Sequence, residues 1–230
     1  FSSARRAALE GADVLVSDFH ERRMNEARDA LAAEFPDQQF EAITCNVQST
    51  EDVDALITGA AEKLGRIDVL INNAGLGGQR RLVEMSDEEW QSVLDVTLTG
   101  TFRMTRAMLP TMQVRGRGVI VNNASVLGWR AQKEQAHYAA AKAGVMALTR
   151  CSALEAAEHG VRINAVSPSI ALHEHLKKSA SPDLLESLAS REAFGRAAEV
   201  WEVANVMIFL ASDYASYMAG EVVSVSSQRA

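Results

Sequence analysis

Gly118-Val119-Ile120-Val121-Asn122-Asn123-Ala124-Ser125 reads as a strand that is apolar on both faces and turns polar only at its carboxyl end. Such a strand belongs to a parallel sheet covered by helices, because a sheet with one wet face alternates apolar and polar residues. The flanking chain keeps the same grammar. Short β-rich runs predict strands at 13–18, 40–45, 67–71, 161–166 and 221–225. Apolar residues at helical spacing predict helices at 2–10, 21–34, 50–64, 87–113, 136–158 and 199–211. In the third of these, Val53, Leu56, Ile57 and Leu64 share one face. Strands alternating with helices give an α/β doubly wound parallel sheet with helices on both faces.

Sheets of this kind bind ligands beyond the carboxyl ends of their strands. The distinctive segments of this chain fall there: Asp18, Asn72-Asn73-Ala74-Gly75, Ser125 and Pro168. A length of 230 residues, without repeats or linkers, fits one domain. A net charge of −7 argues against general attraction to nucleic acid or anionic membranes. No apolar run approaches the roughly 18 residues of a spanning helix, and the first residues lack a secretory signal's apolar core. These features point to the cytoplasm. Cys45 and Cys151 have no metal-ligand spacing and are expected to be small buried side chains, and no metal is expected.

The chemistry centres on Tyr138-Ala139-Ala140-Ala141-Lys142. A spacing of four puts phenol and ammonium on one helical face, a turn apart. A free tyrosine is a poor base at neutral pH, and a nearby cation favours its phenolate. Ser125, thirteen residues before Tyr138 and just past a strand, is placed to hydrogen-bond a substrate oxygen. A lone Tyr-x-x-x-Lys is commonly a solvated pair. Its order after a strand, a serine and a twelve-residue gap makes the assignment specific.

Over nearly its whole length the chain resembles the short-chain dehydrogenases/reductases, which have a Rossmann-like fold. Asn72-Asn73-Ala74-Gly75 matches the family segment that supports cofactor and sheet, and Ser125, Tyr138 and Lys142 match its catalytic serine, tyrosine and lysine. The resemblance implies that Tyr138 is the acid/base, and that Lys142 lowers its pKa and holds the nicotinamide ribose. It gives Ser125 the orienting of the substrate carbonyl. Asn73, Ala74, Gly75, Pro168, Ser169 and Ile170 are the implied cofactor contacts around the strand ends, with Asn46 and Val47 at the adenine. The segment about 169–195 is expected to close over the substrate.

Asp18 bears on the cofactor. An acidic residue at the end of the second strand accepts from the adenosine ribose and repels a 2′-phosphate, favouring NAD(H) while leaving NADP(H) open. Two other readings stand beside it: Asp18 as the cap of the next helix, and Arg22 or Arg23 greeting a phosphate, although arginines there are usually solvated. The fold should open with a strand and a glycine-rich turn, whereas this chain begins inside a helix. The expectation is a sheet gapped near its centre, with the natural protein extending upstream of Phe1.

The chain departs from the family pattern in three places. Thr97 holds the position of the usual catalytic asparagine, where its hydroxyl would position a relay water. Pro168-Ser169 replaces proline-glycine, with His173 in place of a downstream threonine, and Ser226-Ser227-Gln228 replaces a common Asp-Gly-Gly ending. Around the substrate, His173, His175, Lys177 and Lys178 form a cationic stretch suited to the phosphates of a CoA thioester, or simply a solvated turn. Arg80 and Arg81 fall near the same mouth, and Leu127 and Trp129 offer an apolar wall.

The stretches 124–132 and 167–171 resemble an actinobacterial subgroup that degrades the last steroid rings as CoA thioesters, the hydroxy-hexahydroindanone-carboxyl-CoA dehydrogenases/reductases. A 3-oxoacyl-thioester reductase acting on acyl carrier protein or CoA fits the general pattern as well. A non-catalytic dinucleotide-binding relative is the reading from another class. The family resemblance also implies a homotetramer.

Overall fold

The computed structural model describes residues 1–172, 176 and 181–227. β1 (Val14–Val16) pairs with β2 (Phe40–Ala42), while β3 (Val69–Asn72), β4 (Gly118–Asn123), β5 (Val161–Pro168) and β6 (Val222–Val225) lie side by side in that order. All these pairings are parallel. Among the described residues no strand joins β1 to β3, so the sheet is divided where the sequence reading placed a gap. The architecture is Rossmann-like, with helices α1 (Ser2–Leu9), α2 (Glu21–Glu34), α3 (Thr50–Leu64), α4 (Asp87–Leu94), α5 (Gly100–Arg115), α6 (Ala136–Ala157), α7 (Pro182–Ala189) and α8 (Val200–Ala211).

Local signals set the helix ends. Ser49 accepts the Asp52 N–H to cap α3, and Ser86 and Glu89 form a capping box on α4. Gly116, left-handed at φ 65°, stops α5. On one sheet face Leu56 and Ile57 of α3 and Met104, Met108 and Met112 of α5 pack against Ile120 and Ile163. Leu15 and Ile43 join this core, which therefore spans the division in the sheet. Val145 and Met146 of α6 lie against Ala165. On the other face Val203, Met207 and Leu210 of α8 cover Val121 and Val166.

Three expectations need correction. The helix foreseen over 87–113 is broken by a π-helical turn at Asp95–Thr99, between α4 and α5. The segment after Pro168, where no helix was predicted before 199, contains α7, whose cap is Ser181 accepting from Leu184 N–H. Cys45 is buried as expected, but Cys151 is exposed, because its place on α6 faces outward.

Candidate active site

Ser125, Tyr138, Lys142, Thr97 and the loop after Asn72 meet at the carboxyl end of the second sheet. Ser125 lies two residues past β4, and its hydroxyl accepts the Leu127 N–H at 3.2 Å, which starts a single 3₁₀ turn. Tyr138 lies in the first turn of α6 and Lys142 one turn on. The Lys142 ammonium donates to the Asn123 carbonyl and lies 5.6 Å from the centre of the Tyr138 ring.

Burial dominates the electrostatics here. It pushes the Tyr138 phenol above its ordinary pKa, while the hydrogen bond with Ser125 pulls in the opposite direction. Lys142, expected to lower that value, is not among the groups that set it here; burial is the largest cause. The same desolvation lowers Lys142 from 10.5 to about 8, since it is buried and no carboxylate among the described residues offsets that. At neutral pH the site therefore presents a protonated phenol next to an ammonium.

Thr97, in the π turn, is fully buried. Its hydroxyl accepts from the Leu76 N–H at 2.9 Å and donates to the Leu76 carbonyl at 3.1 Å. This hydroxyl thereby clamps the loop after Gly75. π turns arise where a helix must admit an extra residue, and are frequent at functional sites. Here two glycines permit the close packing. A Cβ on Gly100 would lie 2.7 Å from Val47 Cγ2, and one on Gly144 would lie 2.6 Å from Leu98 Cδ2.

The loop runs on past Tyr138. A Cβ on Gly77 would lie 3.6 Å from the Tyr138 ring, and the Gly78 carbonyl accepts from Gln135 Nε2 at 2.8 Å. His137, buried beside Gly78, accepts the Tyr138 N–H on Nδ1 at 2.9 Å. Burial holds its pKa below the usual value against the pull of Glu89. His137, Gln135 and Leu76 were not singled out from the sequence; adjacency to Tyr138 was the only signal for His137.

The other expected positions divide. Asp18, two residues past β1, uses Oδ1 to accept from the His20 N–H at 2.7 Å and from Arg23 at 3.2 Å. It is not the cap of α2, since that position belongs to His20. Arg22 is solvated and pairs with Glu26. Asn46 Oδ1 accepts from the Gln48 N–H, and the Val47 carbonyl accepts from Arg103. Pro168 ends β5, the Ser169 N–H donates to the Val225 carbonyl, and the Ile170 carbonyl accepts from Ala198. Asn73, Ala74 and Gly75 lie exposed past β3.

Leu127 is half-buried, and Trp129 is 51% exposed near the site. Arg80 is tied to Glu89 at 2.7 Å, and Arg81, largely exposed, faces Glu134 at 3.8 Å. His173, His175, Lys177, Lys178 and Gln228 lie outside the described residues.

A dinucleotide fits these residues. Asn123 Oδ1 and Ser167 Oγ are buried at the carboxyl ends of adjacent strands, with no hydrogen-bond partner among the described residues. Such atoms are costly unless a ligand or water completes them. Gly75 leaves room beside the ammonium: a Cβ there would lie 3.5 Å from Lys142 Nζ.

A family model described as enoyl-(acyl carrier protein) reductase matches residues 1–227. The chain is 62% identical over 228 residues to a Mycobacterium tuberculosis (5R,7aS)-5-hydroxy-7a-methyl-1-oxo-2,3,5,6,7,7a-hexahydro-1H-indene-carboxyl-CoA reductase, covering 99% of this chain and 87% of that protein. It is 35% identical over 218 residues to the 3-oxoacyl-(acyl-carrier-protein) reductase FabG of Thermotoga maritima, covering 95% and 87%. The crystal structure of a short chain dehydrogenase from Mycobacterium smegmatis superposes with a TM-score of 0.88 at 63% identity, covering 100% of this chain and 87% of that one.

Proposed function

Because the chain belongs to the short-chain dehydrogenase/reductase family, and so is an NAD(P)-dependent oxidoreductase acting between CH–OH and C=O groups, we propose that it reduces a ring ketone on a bicyclic acyl-CoA thioester. The observation that carries this substrate is the 62% identity, over 99% of the chain, to a reductase named for a hexahydroindene-carboxyl-CoA. Trp129, half-exposed and four residues after Ser125, supports it as a flat apolar wall for a fused ring.

The residues divide the work as follows. Bound reduced nicotinamide supplies the hydride. Ser125, just past the rigid end of β4, donates to the substrate carbonyl and fixes its orientation. Tyr138 gives its phenolic proton to the oxygen as negative charge develops there. The phenol, whose pKa burial raises, carries at neutral pH the proton this step needs. Lys142 then faces a phenolate, and its buried charge stabilises it far more than an exposed lysine would. Thr97 holds the loop that carries Gly75 beside that ammonium.

We infer NAD(H) as the preferred cofactor from Asp18, whose carboxylate would accept from ribose hydroxyls and repel a 2′-phosphate. The same reading carries a cytoplasmic location, where CoA thioesters and nicotinamide cofactors meet. It also carries a homotetramer, supported by Phe102, Phe209, Tyr214 and Tyr217, which expose large apolar surface. The described helices include none long and apolar enough to cross a membrane.

The test is steady-state turnover of a bicyclic keto-acyl-CoA and a linear 3-oxoacyl-CoA, each with NADH and NADPH. The bicyclic compound is expected to have the higher kcat/KM, with NADH. Preference for the linear thioester would replace this substrate with that of a 3-oxoacyl-thioester reductase. Equal inertness of wild type and Tyr138→Phe on every ketone would favour a non-catalytic role.

A further inference from the structure

We propose that Asn123 is a further cofactor-holding residue, whose free carboxamide oxygen accepts a hydrogen bond from the nicotinamide half of the dinucleotide. This rests on the oxidoreductase reading above and adds a residue to it. The strand pattern first marks the position. Alternate residues of β4 share a face, and Val119 and Val121 pack with Val166, Val223 and Val225 against α8. Asn123 continues that series, directly beside Val166. An apolar residue would extend the core here, yet the chain places an amide.

One of the two polar atoms of this amide is paired within the protein and the other has no partner among the described residues. Asn123 Nδ2 donates to Asn73 Oδ1 at 2.8 Å, one rung beyond the backbone pair Asn72 and Asn122. That bond fixes the plane of the carboxamide. The main-chain carbonyl of the same residue accepts from Lys142 Nζ, so this ammonium is directed at the backbone. Asn123 Oδ1 is buried and has no partner among the described residues. A buried acceptor without a donor is less favourable than the valine or leucine the strand would otherwise carry. The cost is recovered when a ligand brings the donor, and the Asn73 contact means little ordering remains at that moment.

Position decides which ligand. Asn123 lies between Lys142, proposed to face the nicotinamide ribose, and Asn73 of the loop after β3. The donors on that half of the cofactor are ribose hydroxyls and the amide N–H of the nicotinamide carboxamide. Both present the same chemistry to a carboxamide oxygen.

The experiment measures equilibrium binding of NADH, NADPH, the 3-acetylpyridine analogue of NADH and AMP to wild type and Asn123→Leu, without substrate. Leucine matches asparagine in shape and removes the acceptor; Asn123→Val, suited to a strand, is the second variant should the first fold poorly. Loss of one hydrogen bond is expected to weaken NADH about three- to tenfold, with AMP unchanged. Equal weakening of NADH and the acetylpyridine analogue assigns the bond to a ribose hydroxyl; weakening of NADH alone assigns it to the carboxamide. NADH binding within twofold of wild type overturns the proposal, and so does an equal loss of AMP, which marks a general structural role. If wild type binds neither NADH nor NADPH, the oxidoreductase reading itself fails.

Discussion

The hydroxyl of Thr97 satisfies both backbone polar groups of Leu76, accepting at 2.9 Å and donating at 3.1 Å. A helix turn and a loop are joined there by a single side chain. The Thr97 carbonyl in turn accepts at 2.8 Å from the Thr101 hydroxyl, in the first turn of α5, which ties the π turn to the helix after it. The clamp thus depends on the helix irregularity, and the loop position depends on the clamp.

Thr97→Val keeps the shape and removes both bonds, leaving the Leu76 N–H and carbonyl without this partner. The expected loss of stability is about 1–3 kcal/mol, read from denaturant midpoints at unchanged m. Turnover is expected to fall more than cofactor binding, since the loop lies against Lys142 and Tyr138. Thr97→Ser restores the hydroxyl and should restore most of both. A valine variant with full stability and turnover would remove Thr97 from any positioning role.

The fold was legible because both periods are written plainly. The apolar run Val119–Val121 and the one-sided helix of Val53, Leu56 and Ile57 occur where they were expected. The π turn was not legible, since Asp95–Thr99 has no composition that distinguishes it from the helices around it. Helix α7 was missed although Ser181-Pro182 starts it and Leu184, Leu185 and Leu188 share a face, because eight residues give only about two turns of period. Of the site, Ser125, Tyr138 and Lys142 could be picked out by order and spacing. The direction of the Tyr138 shift could not, because burial is a property of the whole packing and spacing carries only the neighbouring charge. Asn123 was passed over as one letter in a strand; its orphaned oxygen exists only in three dimensions.

Lys142→Met is expected to lose activity and gain stability. Folded Lys142 gives up its proton at about 8, against 10.5 as the ordinary value. Between those values the unfolded chain binds more protons, so wild-type stability rises with pH across that window. Below it, the folded protein carries a buried ammonium held by one carbonyl. Methionine removes that burden, a gain on the order of 1–2 kcal/mol after the Asn123 carbonyl loses its donor, or several degrees in Tm. Calorimetry at pH 7 checks this, and a lower Tm would show that the ammonium stabilises the fold.

Ketone reduction by wild type should fall as pH rises through about 8, where Lys142 loses the charge that stabilises a phenolate. The measurement is kcat against pH at saturating cofactor and substrate. A flat profile from pH 7 to 9 would show that Lys142 stays charged when the site is filled.

Tyr138→Phe removes the proton donor and little else. Its kcat is expected to fall about 10²- to 10⁴-fold, the range for loss of a general acid. NADH affinity should change little, and Tm should stay close to wild type because only the bond with Ser125 is lost. Rapid-quench measurement of a single turnover locates the loss in the chemical step. Activity within tenfold of wild type would move the acid to another group.

Asp18→Ser tests cofactor choice, and the geometry predicts more than the removal of a repulsive charge. Asp18 Oδ1 holds Arg23 at 3.2 Å on the exposed edge beyond β1. Serine keeps a ribose acceptor of lower strength and releases the guanidinium, which can then pair with a 2′-phosphate. The ratio of kcat/KM for NADPH over NADH should rise about 10²-fold, equivalent to roughly 3 kcal/mol divided between lost repulsion and gained pairing. Tm should hardly move, because an exposed ion pair contributes little. Adding Arg23→Ala to Asp18→Ser separates the two contributions: the part of the gain that disappears belongs to the arginine. An unchanged cofactor ratio in Asp18→Ser would mean that the adenosine ribose lies elsewhere and that preference is set by other residues.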